Sequence, residues 1–143
     1  MTYTYMARFE PDEDGGFLVT FPDVPEAITH GADKADARSS AADALGMALR
    51  GYLVRNAPLP VATAKGKDLV AIHPDAHDTL KLGVIEAFLA AGISKSELAR
   101  RMGKAETEAY RVLDPDHPTK LAVLESVLTL LGRRVTVTIQ AAA

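Results

Sequence analysis

The stretch from Ser94 to Leu131, SKSELARRMGKAETEAYRVLDPDHPTKLAVLESVLTLL, constrains this chain more than any other. It has the cadence of a helix-turn-helix. Ser94 and Glu97 form a Ser-x-x-Glu capping box, which opens a helix by satisfying two orphan backbone donors. Leu98, Ala99 and Met102 give that helix one apolar stripe. Gly103 follows where a tight turn between crossing helices requires a residue tolerant of positive φ. A second helix over about Ala105 to Leu113 turns Ala109 and Val112 inward and leaves Thr107, Tyr110 and Arg111 outward. A recognition helix in a major groove needs that division of faces.

Two short amphipathic helices joined by a glycine also occur in all-α proteins that never touch DNA. The charges here point both ways. Arg100, Arg101, Lys104, Arg111 and Lys120 cluster, yet Glu106 and Glu108 lie on or beside the reading face, where they would repel phosphates. The formal net charge of −3 excludes a generic polyanion binder. Residues 1–66 hold 9 acidic and 6 basic side chains, and residues 67–143 hold 10 of each, so the two halves are expected to do different work. With no cysteine, disulfides and thiolate metal sites are excluded. No apolar run approaches the roughly 20 residues that span a bilayer. The N-terminus lacks the basic start and apolar core of a signal peptide. A cytoplasmic protein without a membrane partner is expected.

Residues 2–10 alternate, with Tyr3, Tyr5, Ala7 and Phe9 on one face, as in a half-buried strand. Pro11 to Gly16 is a turn built around Asp14-Gly15. Phe17, Val19 and Phe21 alternate on the return strand, which Pro22 ends. A brief third strand falls near Ala27 to His30. Asp33 caps a helix to about Asn56 with Ala37, Ala41, Ala44, Leu45, Ala48, Tyr52 and Leu53 inward. Pro58 and Pro60 stop it, and a fourth strand follows at Asp68 to Ile72. A helix from Ala76 to Ala91 places Val84, Ile85, Phe88 and Leu89 inward and stops at Gly92. Leu121, Leu124, Leu128 and Leu131 build a closing helix. In the tail, Val135, Val137 and Ile139 alternate with polar residues, as in a strand. It would pair with Asp68 to Ile72 or with a second copy across a two-fold axis, since an open apolar edge is a liability.

The expected fold class is α+β, with residues 1–74 as a small antiparallel sheet carrying one helix. Residues 75–143 are expected to form an all-α helix-turn-helix bundle that ends in a strand, serving DNA binding and dimerisation.

These residues together resemble the HicB family, the antitoxin half of a bacterial toxin–antitoxin pair. DEDGGFLVTFPDVP, Asp12 to Pro25, matches a pattern of Asp-Gly-Gly turn and aromatic strand ending Phe-Pro-Asp. Thr29-His30-Gly31 and the alanine-rich helix fit as well. Asp114-Pro115-Asp116-His117-Pro118-Thr119-Lys120 and LLGRRVTVTI match the family's longer form. The resemblance implies that residues 1–74 form a degenerate ribonuclease H-like domain that binds and blocks a HicA-type toxin, a small ribonuclease that cleaves mRNA. It implies a second half that represses its own operon on operator DNA. One departure stands out: Lys104 and Ala105 occupy positions where a helix-turn-helix usually has an apolar residue and a Ser or Thr cap.

Arg111 and Thr107 are the expected base readers, with Glu106 and Tyr110 beside them, and Arg100, Lys104 and Lys120 the expected phosphate contacts. Asp12, Glu13, Asp14 and Asp23 are expected to meet a basic toxin. Val135, Val137 and Ile139 are the candidate dimer seam. Glu10 and those four carboxylates also invite a two-metal nuclease reading, but no carboxylate points inward from a strand, so a solvated turn is the reading favoured. His73 and His77 stand four apart, yet Pro74 interrupts a helix through both and no third ligand is evident. Neither a cofactor nor a metal is expected, nor an enzyme. Two other readings stay open: an active ribonuclease H-like, metal-dependent nuclease, and a stand-alone repressor whose first half senses a small molecule.

Overall fold

The computed structural model describes residues 2–142. Among them the order is β1 (Tyr5–Pro11), β2 (Phe17–Thr20), β3 (Ile28–Gly31), α1 (Lys34–Val54), β4 (Leu69–Ile72), α2 (Ala76–Ala91), α3 (Lys95–Met102), α4 (Glu106–Leu113) and α5 (Leu121–Leu130). The class is α+β, as expected. The chain divides into two compact units, Met1–Leu82 and Gly83–Ala143. That division falls inside α2, whereas the sequence placed it at 74/75.

In the first unit the sheet order is β3-β2-β1-β4, antiparallel throughout. Tyr5, Ala7 and Val19 point to one face, where Ala37, Ala41, Leu45 and Leu49 of α1 join them in a single core. Val19, Leu45 and Leu49 are fully buried. Each such side chain stabilises the fold by roughly 1.5–3 kcal/mol. Asp33 caps α1, its side chain accepting the Asp36 N–H at 2.8 Å. The start of α2 belongs to this unit because Leu82 enters the same core. Asp78 meets Arg50 of α1 there at 3.0 Å, directly over Gly46, where a β-carbon would stand 2.1 Å from Asp78 Oδ2. Burial raises the Asp78 carboxyl above the usual carboxylate range even though Arg50 pulls it down.

In the second unit α3 packs on α4 and α5. Leu98, Ala99, Ala109, Val112, Leu124, Val127 and Leu128 are buried. Three expectations need correction. Leu89 is 66% exposed, because it lies in the last turn of α2, past the buried Leu82, Val84, Ile85 and Ala87. Leu121 is 47% exposed at the first position of α5, and Val127 takes the inward place instead. The tail is not a strand: residues 133–142 carry no ladder, and β4 pairs with β1 alone. Alternating hydrophobicity makes a strand only where a neighbour supplies hydrogen bonds. Within one chain the tail has none, and Val137 and Ile139 stand 78% and 94% exposed.

Candidate functional site

The helix pair is built from its caps inward. Ser94 Oγ accepts the Glu97 N–H at 3.0 Å and opens α3. The reciprocal half of the expected capping box is not formed, because the Glu97 carboxylate turns to two arginines. Arg100 donates to it through Nε at 2.7 Å and Nη2 at 2.6 Å, and Arg101 through Nε at 3.1 Å. Those hydrogen bonds, Arg100 first, pull Glu97 from its ordinary 4.5 to about 2. Gly103 ends α3 at φ 66°, a left-handed conformation. The N–H groups of Gly103 and Lys104 return to the carbonyls of Arg100 and Ala99, both at 3.1 Å.

Helix α4 follows without a side-chain cap, as Ala105 leads one to expect. Glu106 and Glu108 in its first turn favour the positive end of the helix dipole. Ala109 and Val112 are buried, and Thr107, Tyr110 and Arg111 face solvent. Three of the expected groove residues are engaged by neighbours. Ser96 Oγ donates to Glu106 at 2.5 Å. Lys95 Nζ sits 4.6 Å from the centre of the Tyr110 ring. Arg111 donates to Glu108 at 2.6 Å. Lys104 and Lys120 are exposed and make no ion pair among the described residues. Lys95 and Ser96 were missed by the sequence reading. Their position just after the Ser94 cap puts them beside the start of α4 only once the turn is folded.

The acidic residues of the first unit separate into two groups. Asp12 Oδ1 accepts the N–H groups of Asp14 and Gly16, both at 3.0 Å, and Oδ2 pairs with His30 Nε2 on β3. The His30 bond, then those N–H groups, lower its pKa. Asp23 accepts from Ala64 N at 2.7 Å and from Thr63 N and Oγ1, both at 2.8 Å, tying down the segment after α1. Its pKa is lowered, mostly by Ala64 and then by Thr63. Asp12 and Asp23 are thus engaged within the chain, while Glu13 and Asp14 extend into solvent. Among the described residues no three His, Asp or Glu side chains gather as a metal site. His73 precedes α2 and His77 lies in its first turn, 3.9 Å from Asp78.

Residues 4–83 match the sequence profile described as HicB-like antitoxin of bacterial toxin–antitoxin system. The chain is 35% identical over 136 residues to Antitoxin HicB 1 of Photorhabdus laumondii, covering 95% of this chain and 86% of that one. It is 33% identical to Antitoxin HicB of Escherichia coli K12, with 90% and 94% covered. It is 30% identical to Antitoxin HicB of Pseudomonas fluorescens, with 92% and 90% covered. The chain belongs to the HicB-like antitoxin family. The profile ends one residue past the first compact unit, so the HicB-like part and that unit coincide. The relatives extend the match through the helix pair. They are named antitoxins, and this chain too is an antitoxin rather than an enzyme. Membership implies a toxin partner. No helix among the described residues is long and apolar enough to cross a membrane.

Proposed function

We propose that this antitoxin neutralises a HicA-type, mRNA-cleaving toxin through its first unit and represses its own operon through its second. Helix α4 reads operator DNA, and a homodimer presents two such helices to two half-sites. The observation that carries the DNA-binding part is the division of α4. Ala109 and Val112 are buried, while Thr107, Tyr110 and Arg111 are turned to solvent on a helix that follows a left-handed Gly103. Arg111 and Thr107 read bases, Glu106 and Tyr110 lie beside them, and Arg100, Lys104 and Lys120 hold phosphates. Glu13 and Asp14 attract a basic toxin, Asp12 shapes the hairpin turn that carries them, and Asp23 meets the toxin less directly because it holds the segment at Thr63 and Ala64.

Gel-shift titration of the full chain on DNA upstream of its own gene tests the repressor half. Tight binding there and weak binding to a scrambled duplex at equal salt is the expected result. Equal affinity for both, or none, refutes it.

A further inference from the structure

The sheet of the first unit has one face covered by α1 and one face bare. The register fixes what lies on the bare side. Leu18 stands between Glu10 and His30, and Thr20 stands between Arg8 and Ile28. Leu18 and Ile28 are therefore diagonal neighbours, close enough to form one apolar patch. They are 39% and 62% exposed. Met6 and Leu69, both half-buried, continue the same side toward β4. At the hairpin end this patch meets Glu10, Glu13 and Asp14, whose carboxylates are solvated, while the Asp12 carboxylate is hydrogen-bonded to His30. The unit as a whole carries 12 acidic and 8 basic residues.

We propose that this bare face, centred on Leu18 and Ile28 and rimmed by Glu10, Glu13 and Asp14, is where the toxin docks. The inference rests on the toxin-binding reading given above. A protein that cleaves RNA must carry positive charge to hold a polyanion. An acidic rim steers such a partner, and the apolar centre supplies the desolvated contact that holds it. The solvent side of α1 is less suited. It exposes Met47 and Val54, but its charges are of both signs, Asp36 and Asp43 against Lys34, Arg38 and Arg55, so it offers a basic protein no acidic rim.

The test uses the full chain and its HicA-type toxin, purified in a catalytically dead form, by titration calorimetry. The unaltered chain binds. Leu18→Arg and Ile28→Arg each weaken binding by about 30-fold or more, as loss of a central contact does, with unchanged melting temperature. Met47→Arg binds like the unaltered chain. Hydrogen exchange on the unaltered complex shows protection over residues 17–20 and 28–31 and supports the surface without any substitution. Full affinity in both sheet variants, or protection confined to α1 or to residues 83–142, overturns the surface while leaving the pairing intact. No binding by the unaltered chain refutes the pairing itself, and the surface with it.

Discussion

A β-carbon on Gly31 would stand 2.2 Å from the backbone nitrogen of Ala37 and 2.3 Å from its Cα. Strand β3 can end against the first turn of α1 only because residue 31 has no side chain. The obstacle is backbone, held by the Asp33 cap, so no rotamer change relieves it. Gly31→Ala is expected to destabilise the first unit by about 1–3 kcal/mol or more, as overpacking does. Urea denaturation monitored at the first-unit tyrosines reads the loss. An unchanged midpoint would mean that β3 and α1 are not so close.

Much of this arrangement was legible in the sequence where local chemistry decides it. Ala76 to Ala91 appears as written, because Gly92 stops α2 at φ 63°. The hairpin turn and the Asp33 and Ser94 caps are also local. What was hidden depends on distant partners. Asp23 reads as a free carboxylate until Thr63 and Ala64, 40 and 41 residues away, arrive at its oxygens. Glu97 reads as half of a capping box until two arginines on the same helix outcompete one backbone donor. The tail alternates like a strand, yet within a single chain it has no ladder to join.

The Glu97 cluster gives a pH dependence. Its folded pKa, about 2, lies below the ordinary 4.5, so the unfolded state binds protons first on acidification. The stabilisation is complete above about pH 4.5 and disappears as pH falls through about 2. Carbon-detected NMR titration of the Glu97 carboxyl should show the low midpoint, and Arg100→Gln should raise it. At neutral pH, Glu97→Gln releases two guanidinium groups, and affinity for random DNA is expected to rise with a steeper salt dependence. A fall in affinity would show that Glu97 positions the arginines for DNA rather than withholding them.

On the reading face, Arg111→Ala is expected to cost roughly 1–3 kcal/mol on operator and little on scrambled DNA, as loss of a bidentate guanine contact does. Lys120→Ala should weaken both alike and lower the salt slope by about one. Titrations at two salt concentrations on both duplexes separate these roles. Equal losses on both DNAs for Arg111→Ala would mean that α4 meets the groove with another face.

For assembly, the half-buried Val135 and the exposed Val137 and Ile139 are expected to pair across a two-fold axis, since a lone apolar edge invites a partner. Sedimentation at micromolar concentration should give a dimer or larger species, and truncation after Gly132 should give monomer with weakened operator binding. A monomeric full chain whose DNA affinity survives truncation would discard this seam.

The central claim is that the chain silences a ribonuclease and is not one. The direct measurement is cleavage of a defined mRNA by the purified toxin, with increasing amounts of the full chain, and by the chain alone with Mg²⁺. Cleavage should fall in proportion to added chain and stop near one first unit per toxin, with the chain alone inert at every Mg²⁺ concentration. Undiminished cleavage by the toxin, or Mg²⁺-dependent cleavage by the chain itself, would contradict the account.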